Sequence, residues 1–108
     1  MGFFSSLLGK TDNSKLTAFI KAGAFLVDVR TPAEFSAGSV KGAVNIPLDK
    51  MQSRLAAFKN KKYIIVFCRS GGRAGQAKYI LEQNGFQQVM NGGTWQMVET
   101  LVQKNLEV

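Results

Sequence analysis

A single cysteine followed by glycine and arginine residues is the part of this sequence best suited to chemistry. The segment reads Cys68-Arg69-Ser70-Gly71-Gly72-Arg73. Because Gly71 and Gly72 lack a Cβ atom, the chain there can curl until successive backbone N–H groups point inward and form a site for an anion. Such a site would hold Cys68 as a thiolate, and a following helix N-terminus and the two arginines would add to this effect.

The absence of histidine restricts how this cysteine can be activated. The chain contains no histidine and no second cysteine, which excludes a Cys-His pair. Activation must then come from the backbone N–H groups and the neighbouring positive charges. A thiolate held in this way is suited to nucleophilic attack on an anionic substrate, with a negatively charged covalent intermediate. A cysteine at a strand end is otherwise an ordinary small apolar residue, and the residues after Cys68 decide against that interpretation.

A strand and a helix are predicted on the two sides of this segment. Residues 63–67 form an unbroken apolar run, which is typical of a strand buried on both faces of a parallel sheet. From about Arg73 onward the apolar residues share one helical face, and Gly85 is placed to end the helix. In an open α/β sheet, sites form where strands end and the next helices begin. Cys68 occupies such a position.

Strands and helices alternate along the rest of the chain. Further strands are predicted over residues 25–29, 43–46 and 88–90, with a turn at 91–93, and further helices over 13–22, 51–58 and from Thr94 onward. Short connections between alternating strands and helices are typical of an α/β domain. We therefore predict a mostly parallel central sheet with helices on both faces.

Several helix starts carry candidate capping residues. Thr31 and Glu34 have the spacing of a capping box, with Pro32 at the first helical position. The other candidate caps are Asp12 or Asn13, Asp49, and Thr94. Arg30 lies close enough in sequence to pair with Glu34.

The spacing of Cys68 and Arg73 resembles one of two known loop designs. Protein tyrosine phosphatases and their rhodanese-fold relatives carry Cys-x5-Arg, a ring sized for a phosphoryl group. Here the spacing is Cys68-x4-Arg73, one residue shorter. It resembles the active-site loop of rhodanese sulfurtransferases, in which the smaller ring holds a persulfide.

Other segments extend this resemblance over nearly the whole chain. Asp28-Val-Arg-Thr-Pro-Ala-Glu-Phe35 is similar to the family pattern Asp-x-Arg-x-x-x-Glu-Phe. Gly38-Ser-Val-Lys-Gly-Ala-Val-Asn-Ile-Pro47 is similar to Gly-His-Ile-x-Gly-Ala-x-Asn-Ile-Pro, with Ser39 in place of the usual histidine. Asn84-Gly-Phe86 and Gly92-Gly93 match the segment after the active-site helix. The sequence is identified as a member of the rhodanese family with a single domain.

The resemblance implies a three-layer rhodanese-like fold and a sulfurtransferase activity. In this hypothesis Cys68 takes sulfur from a small anionic donor such as thiosulfate, carries it as a persulfide, and passes it to cyanide, a thiol or a protein. The alternative is a persulfide carrier for a protein partner, with little activity toward thiosulfate. A module that binds anions without turnover is a third hypothesis, against which the intact Cys68 argues. Neither a cofactor nor a metal is expected.

The resemblance also suggests roles for individual residues. The substrate-binding candidates are Arg69, Ser70, Gly71, Gly72 and Arg73, whose backbone N–H groups would surround the persulfide. Arg69 could contact the sulfonate end of thiosulfate. Arg73 could do the same, or could link the loop to Asp28 or Glu34, and the sequence leaves both open. Asp28 and Arg30 are supporting candidates: Asp28 either braces the loop or is a buried structural residue.

Composition limits the remaining possibilities. The chain has 108 residues, 45% of them hydrophobic, which suits one domain, placed at residues 13–108 after an N-terminal segment 1–12 that is frayed or docked. That segment matches the loose N-myristoylation pattern but is too short to cross a membrane. A lone cysteine suits a reducing compartment, so we expect a cytoplasmic location. We also expect a monomer. Despite a net charge of +7, the basic residues lack the aromatic interleaving of nucleic-acid sites, and no nucleic-acid or membrane partner is expected.

Overall fold

Four parallel strands form one sheet in the computed structural model, which describes residues 13–107. The strands are β1 (Phe25–Asp28), β2 (Val44–Asn45), β3 (Ile64–Cys68) and β4 (Val89–Thr94). Their order across the sheet is β2-β1-β3-β4, and all three neighbouring pairs are parallel. The predicted parallel α/β architecture is therefore confirmed, with β3 between β1 and β4.

Helices cover both faces of this sheet. They are α1 (Ser14–Lys21), α2 (Pro32–Ala37), a 3₁₀ segment (Leu48–Phe58), α3 (Gly72–Gln83) and α4 (Trp95–Leu106). Side chains of β3 alternate between two buried clusters, because successive residues of a strand point to opposite faces. Ile64, Val66 and Cys68 pack with residues of α3 and the 3₁₀ segment. The other two β3 residues pack with residues of α1 and α4, which completes three layers.

Two of the predicted helix starts have the expected hydrogen bonds. The Thr31 hydroxyl accepts from the Glu34 N–H at 3.2 Å, and the Glu34 carboxylate accepts from the Thr31 N–H at 3.0 Å. Pro32 occupies the first turn of α2, so the predicted capping box is confirmed. At α4 the Thr94 hydroxyl accepts from the Met97 N–H at 3.2 Å.

The capping predictions for Asn13 and Asp49 are wrong. Asn13 precedes α1, but its side-chain amide points toward the Met97 sulfur at 3.8 Å and forms no cap. The helix predicted over 51–58 begins earlier, after Pro47, and is a 3₁₀ segment broken at Arg54, with Asp49 inside its first turn. Asp12 and the rest of the 1–12 segment, including the myristoylation pattern, lie outside the described residues.

The turn predicted at residues 91–93 belongs to β4 instead. Val66 pairs with Asn91 and Cys68 pairs with Thr94, so β4 carries one extra residue as a bulge. Gly92 is needed because a Cβ atom there would lie 2.7 Å from Val98 Cγ2. Gly92, one of the two glycines that suggest a turn, thus allows β4 to pack closely against α4.

None of the helices between residues 13 and 107 has the length and apolar character needed to span a membrane.

Candidate active site

Cys68 is the last residue of β3, at the carboxyl edge of the sheet. It is buried, with 1% of its surface exposed to solvent. Its sulfur accepts hydrogen bonds from the Gly71 N–H at 3.0 Å and the Ala74 N–H at 3.4 Å. Gly71 precedes α3 with φ of +100°, a left-handed conformation that a glycine adopts without strain. The 68–73 loop therefore curls around the sulfur as the glycines predict.

The surroundings of Cys68 favour its thiolate. Burial raises the pKa of the thiol, but the backbone N–H groups of Ala74, Ser70, Gly71 and Arg73 together lower it by more. The net pKa lies below the usual value of 9.0. These donors stabilise only the charged form of sulfur, so the loop itself can activate the nucleophile without a basic side chain.

Arg69 and Ser70 lie on the outer rim of the loop. Both are exposed to solvent. The ion pairs among residues 13–107 do not include Arg69. Gly72, also exposed, is the first residue of α3.

Arg73 is bound to Glu34 of α2 through both of its terminal nitrogens. The two distances are 2.7 and 3.1 Å. The Arg73 hydrogen bond lowers the pKa of Glu34 from 4.5 to about 2, with help from the Thr31 N–H, and Glu34 in turn raises the pKa of Arg73. The predicted pair between Arg30 and Glu34 is not formed. Of the two options for Arg73, the contact observed is the link to Glu34.

Asp28 forms a buried group with Arg30 and Ser39 rather than with the 68–73 loop. Its carboxylate accepts from the Arg30 side chain at 2.6 to 3.0 Å and from the Ser39 hydroxyl at 2.6 Å. Arg30 also donates to the Gly38 carbonyl at 2.7 Å and lies over the Trp95 ring at 5.1 Å. Among residues 13–107, no hydrogen bond joins Asp28 to the 68–73 loop. This favours the interpretation of Asp28 as a buried structural residue.

Asn91 of β4 is a contact of the loop that the sequence did not reveal. Its side-chain amide donates to the Gly71 carbonyl at 3.0 Å. The composition of the Asn91-Gly92-Gly93 triplet predicts a turn, and this prediction hides the contact. The one signal in the sequence for this contact is a polar residue, Asn91, directly after the predicted strand 88–90.

Two grooves are lined in part by residues of the 68–73 loop. One has a volume of about 520 Å³ and is lined in part by Ser70, Asn91 and Met97. The other, of about 320 Å³, is lined in part by Thr31 and Arg73. Residues 13–107 contain no cluster of three or more His, Cys, Asp or Glu side chains that could hold a metal ion. The site therefore offers a thiol whose pKa is lowered, a set of N–H donors and, in Arg69, an arginine with no ion-pair partner among residues 13–107.

The sequence and the fold are similar to those of known proteins. Residues 12–96 match the family model described as the rhodanese-like domain. The chain is 41% identical over 69 residues to the thiosulfate sulfurtransferase PspE of Escherichia coli (strain K12), a match covering 62% of this chain and 66% of PspE. It is 30% identical over 66 residues to YrkF of Bacillus subtilis (strain 168), whose name describes a candidate sulfur carrier protein, a match covering 61% of this chain and 36% of YrkF.

Among solved structures, a human single-domain sulfurtransferase, TSTD1, superposes with a TM-score of 0.66. That match has 31% sequence identity and covers 81% of this chain and 89% of the human chain. The matched part of this chain spans less than two thirds of the length of either curated relative.

Proposed function

The chain belongs to the family of rhodanese-like domains, and on this premise we propose that it is a sulfurtransferase that carries sulfur as a persulfide on Cys68. The observation that carries the proposal is the pair of N–H groups, from Gly71 and Ala74, bonded to the Cys68 sulfur. Donors in this position stabilise the attacking thiolate and then the negatively charged persulfide.

The first half-reaction of the proposed cycle loads sulfur on Cys68. The Cys68 thiolate attacks the outer sulfur of thiosulfate and forms a new S–S bond. The S–S bond of thiosulfate breaks, and sulfite leaves with the electron pair. In the second half-reaction a thiolate or cyanide attacks the outer sulfur of the persulfide and releases the Cys68 thiolate, so no outside oxidant or reductant is needed.

The two arginines of the loop receive different roles in this proposal. Arg69 is exposed and has no ion-pair partner among residues 13–107, so we assign it to the sulfonate end of the donor. Arg73 is engaged by Glu34 and is assigned to holding α2 against α3. Thiosulfate is proposed as the donor because PspE is named for it.

A test of the proposal uses intact mass and turnover. After treatment with thiosulfate, the parent protein should gain the mass of one sulfur atom, which a reductant removes. Cys68→Ser should show neither this gain nor thiocyanate formation, while its circular dichroism stays that of the parent. Substantial turnover by Cys68→Ser would overturn the mechanism.

A matched pair of variants tests the role of Arg69. Arg69→Ala should lower kcat/KM for thiosulfate about tenfold, because one charge-assisted contact to the donor is lost. Arg54→Ala removes the same charge from an exposed position of the 3₁₀ segment and should leave kcat/KM unchanged. Equal effects of both variants would contradict the assignment.

A persulfide carrier that receives sulfur from another protein is the second candidate, favoured by the similarity to YrkF. Steady-state rates with thiosulfate and with a protein persulfide as donor distinguish the two. A donor protein that loads Cys68 much faster than millimolar thiosulfate would favour the carrier.

A further inference from the structure

We propose that Asn91 is a positioning residue for Cys68: its side chain holds Gly71 in the orientation in which the Gly71 N–H meets the sulfur. This inference rests on the proposed function, since it takes Cys68 as the reacting group. Asn91 lies on β4 and pairs with Val66 of β3, two residues before Cys68. It does not touch the sulfur itself and acts through the loop.

Both ends of the Asn91 amide are engaged. Its Nδ2 donates to the Gly71 carbonyl at 3.0 Å, and its Oδ1 accepts from the Gly93 N–H at 2.8 Å. The second bond fixes which end of the amide faces the loop, because exchanging the two ends would place two donors together at Gly93 and two acceptors together at Gly71. The β4 bulge thus sets the direction in which Asn91 donates.

Gly71 needs an external contact of this kind. With no Cβ atom its backbone has access to both signs of φ, so nothing within the residue selects the observed φ of +100°. Its carbonyl accepts from the Gly75 N–H at 2.9 Å in the first turn of α3 and from Asn91 on the other side. The two bonds hold the peptide plane that follows Gly71, and this limits the φ open to Gly71 and so the orientation of its N–H, which meets the Cys68 sulfur at 3.0 Å.

The charged groups around the sulfur are separate from Asn91. They are Arg69 of the loop, Arg73 of α3 with its partner Glu34 of α2, and the buried Asp28 and Arg30 at the end of β1. Replacing Asn91 by alanine alters none of these charges. A change in the titration of Cys68 in that variant would therefore report the orientation of the N–H donors.

The experiment measures the rate of Cys68 alkylation by iodoacetamide against pH. In Asn91→Ala the midpoint should move to higher pH, with about two- to tenfold less thiolate at a pH below the midpoint, the range expected for weakening one hydrogen bond to the sulfur. Asn84→Ala is the matched control, because Asn84 also donates its amide to a backbone carbonyl of α3, that of Ile80 at 2.8 Å, but at the far end of the helix. Its midpoint should equal that of the parent.

A second variant keeps the test decisive if Asn91→Ala fails to fold. Asn91→Leu keeps the size and the neutral charge of the side chain and loses the donor to Gly71. A shifted midpoint in this variant supports the proposal. Parent-like midpoints in both Asn91 variants, or an equal shift in Asn84→Ala, would overturn it.

These measurements do not depend on sulfur transfer. A parent protein that transfers no sulfur, while Asn91→Ala still shifts the midpoint, would retain this inference and overturn the proposed function. A parent that transfers sulfur, together with unshifted midpoints in the Asn91 variants, would support the proposed function and overturn this inference.

Discussion

The reactivity of Cys68 depends on two opposing effects at one atom. Burial of the side chain favours the neutral thiol, whereas backbone N–H groups of the loop and the first turn of α3 favour the thiolate. The balance lies with the thiolate, although no side chain acts as a base. Activation of Cys68 thus depends on the geometry of the backbone. A substitution elsewhere in the loop can disturb that geometry without removing a charge.

At the residue scale, we predict that Cys68 titrates below the usual pKa of 9.0 of its thiol. Iodoacetamide alkylation of the parent should show a midpoint below that of a small free thiol measured in the same buffers. The reason is that the N–H donors of the loop bind only the charged form. A midpoint at or above that of the free thiol would show that the loop does not stabilise the thiolate.

Predictability differs between residues according to how local their signals are. Cys68, Gly71 and the capping residue Thr31 were identified from neighbouring residues alone. The partner of Arg73 was left open because Glu34 lies 39 residues away in the sequence. Asn91 was missed because a glycine-rich triplet has the same composition in a turn and in a strand bulge.

At the element scale, the Arg73–Glu34 pair joins α2 to the start of α3. The pKa of Glu34 is about 2 in the folded protein against a usual value of 4.5. The contribution of the pair to the free energy of unfolding is therefore fully present above pH 4.5. It is lost as the pH falls from 4.5 toward 2. The loop that holds Cys68 begins to lose one of its supports in the same range.

We predict that Glu34→Gln shows a shallower loss of stability between pH 4.5 and 2 than the parent. Glutamine also suits a capping box, so the start of α2 is retained. Urea unfolding at several pH values measures the effect. Glu82→Gln, which removes a carboxylate from the exposed Lys78–Glu82 pair of α3, is the control, and a parent-like pH dependence in Glu34→Gln would contradict the prediction.

The length of the 68–73 loop is a second property of this scale. Inserting one glycine between Gly71 and Gly72 should weaken persulfide formation, because it enlarges the ring and moves the Gly71 N–H relative to the sulfur. The same insertion between Lys61 and Lys62, in an exposed connection, should have little effect. Assays with thiosulfate plus cyanide and with an aryl phosphate measure both proteins.

The parent should leave the aryl phosphate unhydrolysed. The ring of N–H groups around the Cys68 sulfur is small. Among residues 13–107, the only carboxylate hydrogen-bonded to the loop is that of Glu34, which is bound by the Arg73 side chain. Hydrolysis of the phosphate together with no reaction of thiosulfate would favour a phosphatase instead.

The elements themselves were predicted to different degrees. Strands with long apolar runs, such as β3, were placed to within one residue, and the capping box placed α2. The 3₁₀ segment and β4 were less well predicted. Their limits depend on contacts with other elements, such as the packing of Gly92 against Val98 and Ile65, rather than on local pattern.

At the scale of the whole molecule, the chain carries a formal net charge of +7, which favours the approach of anions. We predict that anionic iodoacetate alkylates Cys68 faster, relative to neutral iodoacetamide, than it alkylates a small neutral thiol such as 2-mercaptoethanol. The ratio should fall as salt rises toward about 1 M, because the Debye length shortens to about 3 Å. A ratio independent of salt would show that the net charge does not act on anions at Cys68.

The nucleophile lies at the end of β3, the strand expected to open only when the whole domain unfolds. β3 is paired on both sides and all five of its residues are buried, so its amides should exchange with solvent only when the whole domain opens. Cys68 belongs to this buried central strand, while the N–H donors that activate it follow in a loop with an exposed rim. On heating, the thiolate reactivity should therefore decline with the loop, before exchange from β3 reports loss of the fold.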